Sequence, residues 1–128
     1  MPKLLPWIYL ILSILGAVLP WQANLEFIQD SPGQGFNIAA FFEDASLTAA
    51  SRSLSRDLLI GASAVSIWIV VEARRLKIKG WWIALIACVT ISFACGAPLF
   101  LFLRERHLAK MDNEDQISLK KDKTFQQE

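Results

Sequence analysis

Cys88 and Cys95 are the chain's two cysteines, and they stand seven residues apart. On one helix that spacing puts them on one face, separated by about 10.5 Å of rise. A disulfide needs Cα atoms within about 7 Å, so the pair cannot bridge along a single helix. A metal would want more ligands, and His107 is the only histidine. Both thiols therefore read as small packing side chains. His107 follows Arg106, past the last apolar block, where it reads as a solvated or interfacial side chain rather than a haem ligand. Asp57 and Glu72 bound the second apolar block. Fifteen residues at 100° each leave them about 60° apart, on adjacent parts of one helical face. Neither lies deep in the block, so they are expected to pin helix ends by ion pairs rather than carry protons. The expected partners are Arg104 or Arg106 for Asp57, and Arg74 or Arg75 for Glu72. No phosphate loop, dinucleotide fingerprint, zinc motif or nucleophile–histidine set is present. No catalytic, cofactor-binding or metal residue is assigned, and the chain is expected not to be an enzyme.

These residues depend on long apolar elements. The chain has 128 residues, 54% of them hydrophobic, enough for one compact unit. Three blocks hold most of the apolar residues: Leu4 to Trp21, Leu58 to Val71 and Trp81 to Leu103. A spanning helix needs about 20 mostly apolar residues. The blocks predict an all-α membrane protein with three transmembrane helices, over about 4–21, 54–73 and 81–103. Lys3 before the first block could open a signal peptide, but Trp21 spoils the small-residue spacing before Ala23 that cleavage needs. The first block is read as an uncleaved span, with Pro20 ending or kinking it. Ser13, Gly16, Ala17 and Pro20 form its small face.

A loop follows, with its clearest turn in "DSPGQG", Asp30 to Gly35. Asn37 caps an expected amphipathic helix over about 37–50, lying at the interface between the first two spans. The third span carries Ala84, Cys88, Ser92 and Gly96 at i, i+4 spacing, a register in which membrane helices approach closely. With Gly61 in the second span, these make the expected helix-packing face. Pro98 should bend the third span. Residues 1–108 thus form a membrane domain. The polar tail, 109–128, is expected to be disordered.

Net charge is +1, and no basic run with interleaved aromatics points to nucleic acid. Arg74, Arg75, Lys77 and Lys79 crowd one short turn, which reads as an anchor for lipid headgroups and for topology. Three spans put the N-terminus and this turn on one side, the long loop and the tail on the other. Basic residues are nearly balanced between the sides; the short turn tips the orientation to N-terminus inside.

"YLILSILGAVLPW", "RDLLIGASAVSIWIVVEARRL" and "SFACGAPLFLFLRER" together resemble a family of small bacterial membrane proteins of unknown function, frequent in cyanobacteria, the DUF2834 family. The resemblance covers roughly residues 5 to 108. Its matching residues here are Gly16, Pro20, Asp57, Glu72, Arg74, Arg75, Pro98, Arg104, Glu105 and Arg106. It implies a multi-span protein of a bacterial plasma membrane or a thylakoid, and brings no activity, substrate or cofactor. The function expected is that of an accessory subunit or assembly factor, with the bilayer and other membrane subunits, or its own copies, as partners. The alternatives are transport of a small molecule or ion as a homo-oligomer and, behind it, an interfacial lipid or isoprenoid enzyme.

Overall fold

The structure is a computed structural model and describes residues 3–30, 33 and 37–126. Most of the expected "DSPGQG" turn lies outside the described residues. Five helices follow in order: α1 (Leu5–Asp30), α2 (Ile38–Ala45), α3 (Ala49–Leu76), α4 (Trp81–Thr90) and α5 (Phe93–Phe125). Two of them, α1 and α3, are long and apolar enough to cross a membrane. Within the chain only 11% and 6% of their apolar windows are buried.

α1 does not stop at Trp21. It runs through Pro20 to Asp30. A proline inside a helix removes one N–H, here the partner of the Gly16 carbonyl four residues back. That carbonyl is not orphaned: the Ser92 hydroxyl donates to it. The helix therefore tolerates the proline at its place of contact with α5.

α2 is shorter than the expected 37–50. Asn37 does cap it, its side-chain oxygen accepting from Ala40 N at 3.2 Å. It ends at Ala45, because Thr48 opens the next helix with a capping box: Thr48 and Ser51 exchange backbone and side-chain bonds at 3.0–3.1 Å. α3 thus begins five residues earlier than the expected 54. Phe41 of α2 meets Phe27 of α1 edge-on, with ring centroids 5.5 Å apart.

The third apolar block departs furthest from expectation. It is not one helix over 81–103. It breaks after Thr90, and α5 doubles back along α4. A Cβ on Gly96 would fall 2.6 Å from both Ala84 O and Cys88 N and would overlap Cys88 Sγ. In a continuous helix Gly96 and Cys88 would be about 12 Å apart. The stripe Ala84–Cys88–Ser92–Gly96 is instead folded at Ser92, and its two arms face each other. The small residues let the two backbones approach, as predicted for this register, but within one hairpin.

The break has local causes. Val89, Thr90 and Ile91 are three β-branched residues in a row, poor continuers of a helix. Ser92 is extended (φ −173°) and accepts from Cys95 N at 3.1 Å, an N-cap for α5. The hairpin then packs on the C-terminal third of α3. Ile69, Ala73, Ile78, Ala84 and Phe100 form the buried core, with Val65, Leu76, Trp81 and Leu85 around it. Trp68 meets Phe100 edge-to-face at 5.6 Å.

Beyond the core, α5 continues through the polar tail to Phe125, where disorder was expected. No glycine or proline follows Pro98. Ala109, Lys110, Met111, Glu114 and Leu119 favour a helix. The segment is exposed, so it is a helix held largely by its own propensity.

Two glycines separate the roles of space and sequence. Gly61 of α3 has open space where a Cβ would stand. Gly96→Ala should therefore cost about 1–3 kcal/mol by overpacking, whereas Gly61→Ala should leave the fold's stability equal or slightly higher. Thermal unfolding of both variants in mild detergent checks this; equal melting temperatures would refute the close hairpin.

Candidate functional site

Two polar constellations stand out. The first is the hairpin turn. Its helix ends would leave carbonyls and amides without partners, and α1 supplies several. Trp21 Nε1 donates to Ile91 O at 2.9 Å. Ser13 Oγ donates to Cys95 O at 2.9 Å. Ser92 Oγ donates to Gly16 O and accepts from Cys95 N. Gly16 must be glycine, because a Cβ would collide with the Ala94 carbonyl. Ser13 and Gly16 are the buried residues of α1, the small face lying on the hairpin. α1 and α5 run antiparallel here: Ser13 lies by Cys95, Gly16 by Ala94 and Trp21 by Ile91.

The second constellation is ionic and sits where α3 ends. Glu72 is 6% exposed. Its carboxylate accepts from Arg75 Nε at 2.7 Å and from Arg104 Nε at 2.9 Å. Arg104 also reaches Glu105 at 3.1 Å, and Glu105 is itself buried. The four groups balance to zero charge. His107 Nε2 lies 2.8 Å from Leu76 O. A carbonyl only accepts, so Nε2 donates and caps the end of α3.

The expected ion pairs are redistributed. Arg104 does not reach toward Asp57, which is exposed near the opposite end of α3. The hairpin carries Arg104 back to Glu72 instead. Arg106 lies over the Phe102 ring, 5.6 Å from its centroid, and Arg74 is exposed. Of the packing residues, Ala84, Cys88, Ser92 and Gly96 are used within the hairpin, and Gly61 has no close neighbour among the described residues. Pro20 and Pro98 both lie inside helices, each beside the α1–α5 contact. The cysteines are both free, on opposite arms of the hairpin rather than on one face. Cys88 fills the space beside Gly96, and Cys95 Sγ lies 3.5 Å from Ser13 Oγ.

The sequence reading missed Glu105, His107 and Trp21 as structural contacts. Each needs a partner more than 30 residues away or an adjacent arginine, which spacing along a helix does not reveal. The serine cap was readable: a Ser after three β-branched residues is a helix-start signal. The small i, i+4 stripe outweighed it.

Chemically, the ionic cluster ties two helix ends together. Each carboxylate is engaged by a guanidinium, which leaves the cluster suited to holding rather than to proton transfer. Among the described residues, no three of His, Cys, Asp and Glu gather as a metal-holding group.

The model of the family described as protein of unknown function DUF2834 matches residues 8–106. The chain belongs to the DUF2834 family. Comparisons with curated proteins and with solved structures find no match. The family match takes in α1 from Ile8, the hairpin turn and the Glu72–Arg104–Glu105 cluster, and stops short of His107 and the outer part of α5.

The cluster makes a graded prediction. Arg104→Gln should lower stability by about 1.5–3 kcal/mol, the worth of hydrogen bonds to a charged buried partner. Arg75 is 63% exposed on its side chain, so Arg75→Gln should cost little, and Arg106→Gln should behave like it. Denaturation in detergent reads all three; an equal fall would mean that Glu72 is not the fastening point.

Proposed function

We propose that the protein is a small integral membrane protein acting without catalysis, as an accessory subunit or assembly factor on a larger membrane complex. The observation that carries this reading is the bare stretch of α3. Leu54, Leu58, Leu59, Ile60 and Ile67 are 57–74% exposed, and Gly61 has nothing within 4 Å of its Cβ position. Gly61, Ser63 and Ala64 leave the backbone accessible there. In a bilayer apolar surface alone does not drive helices together, but small residues let a neighbouring helix pack closely.

In this reading α1 and α3 are the spans. The third expected span becomes a hairpin that enters and leaves from one side, its shorter arm α4 rising only about 15 Å. α1 is retained rather than cleaved, since Ser13, Gly16 and Trp21 engage the hairpin. Lys3, the Arg74–Lys79 turn, Arg104, Arg106 and Lys110 then share one side, against Arg52 and Arg56 on the other. The near balance of a three-span chain gives way to a strong bias, which places that side, the N-terminus and the tail together in the cytoplasm. The bilayer is that of a bacterial plasma membrane or a thylakoid.

A transport reading has one supporting feature: the hairpin turn, a helix break of the kind that binds cargo in transporters. Its hydroxyls are engaged within the chain, which favours a structural turn. Background-level flux from proteoliposomes would remove that reading.

Two measurements test the proposal. With Cys88 and Cys95 replaced by alanine, Ser118→Cys and Lys79→Cys should be labelled from the same side, and Leu47→Cys from the other. Labelling of Ser118→Cys together with Leu47→Cys would restore three full spans. On blue-native gels from mild detergent the protein should migrate in a large assembly that Gly61→Leu loses. Migration only as a monomer or homo-oligomer would overturn the accessory role.

A further inference from the structure

The return of α5 does more than fasten Glu72. It completes a groove of about 320 Å³ between the α3–α4 turn and α5, lined by Lys77, Ile78, Lys79, Leu103, His107 and Lys110, with Met111 and Glu114 at its outer end. Three lysines from two separate elements converge on it. Among the described residues, none of the three has an ion pair.

The turn is built to present them. Lys77 is left-handed, with φ 53° and ψ 41°, and is the only non-glycine residue with positive φ among those described. A glycine would adopt that conformation at less cost. It is fixed by Ile78, 5% exposed, whose N–H donates to Ala73 O at 3.0 Å and whose side chain belongs to the core. Burial of Ile78 between Lys77 and Lys79 turns the two lysines outward. On the other wall, the His107–Leu76 bond sets the register of α5, and Lys110 follows one turn later. Leu103 and Ile78 give the groove an apolar inner end, and Trp81 and Trp82 stand just past the turn, where aromatic residues mark the membrane–water boundary.

We propose that this groove is a binding site for the phosphate of an anionic phospholipid headgroup, with Lys77, Lys79 and Lys110 on the phosphate and the glycerol–acyl end against Ile78 and Leu103. The site rests on the membrane placement proposed above, not on the accessory role. Three lysines around one cavity against one carboxylate, Glu114 at the rim, leave a net positive groove. Its mixed character, cationic outside and apolar inside, matches a lipid better than a soluble anion. Basic pockets at this depth are a known form of headgroup recognition.

Native mass spectrometry of the full-length protein from mild detergent, with equimolar phosphatidylglycerol and phosphatidylcholine, tests the site. The wild type should retain phosphatidylglycerol over phosphatidylcholine. Lys79→Gln, Lys110→Gln and Lys77→Asn, the last chosen because asparagine tolerates the left-handed backbone, should each weaken retention about fivefold. The three positions are exposed, so the fold should survive. The triple change Lys120→Gln, Lys121→Gln and Lys123→Gln removes three charges from the outer tail, more than any of these single changes, and should change nothing. Equal loss in that control would make the effect a general attraction and overturn the site, as would equal retention of the two lipids. Displacement of the lipid by millimolar inorganic phosphate would assign the lysines to a soluble phosphate and overturn the lipid. If the cysteine labelling stands while lipid selectivity fails, the groove alone is wrong.

Discussion

The fold turns on one hydroxyl. Ser92 caps α5 through Cys95 N and donates to Gly16 O, so it both makes the hairpin turn and fastens it to α1. The acceptor is available because Pro20 has no N–H to offer it. The opposite face of the same contact repeats the logic: Pro98 cannot pair with the Ala94 carbonyl, and that carbonyl rests against Gly16, where a Cβ would not fit. Two prolines free two carbonyls: Ser92 donates to the first, and Gly16 leaves room for the second. In an apolar surrounding an unpaired carbonyl is costly, so removing the Ser92 hydroxyl would leave Gly16 O to bear that cost, whereas a side chain at position 16 would push α5 away.

From this contact the rest of the arrangement follows. A turn at Ser92 reverses the chain, and reversal brings Phe100 onto Ile69 and Ala73 and Arg104 onto Glu72. The apolar core and the ionic cluster are successive layers of one packing, read outward along α5. The same reversal sets Lys110 opposite Lys77 and Lys79. The other end of α3 has no such neighbour beyond the short α2. Among the described residues the chain is tightly assembled at one end and open at the other.

How much of this was legible depended on the range of the signal. Local signals told well: Asn37 as a cap, the all-helical class, the apolar blocks of α1 and α3, and the small face of Ser13 and Gly16. The stripe of Ala84, Cys88, Ser92 and Gly96 was seen and its close approach foreseen, yet its partner was misplaced, because i, i+4 spacing fits one straight helix and a hairpin folded at its middle alike. That one ambiguity moved Arg104 to the wrong carboxylate and put the cysteines on one face. The polar tail failed for a different reason. Low hydrophobicity argues against a packed core, but it does not argue against a helix when breakers are absent and propensity is high.

The bonds that close the hairpin join residues 70, 76 and 82 positions apart. Translation delivers α1 first and the hairpin last, so the first helix must wait in place, its Ser13 and Trp21 unmatched, while most of the chain is still to come. The break at Ser92 can settle into an apolar environment only when that waiting helix accepts it. Assembly therefore has an order in time, written by the distance between its partners: the last apolar segment is held to its shape by the first.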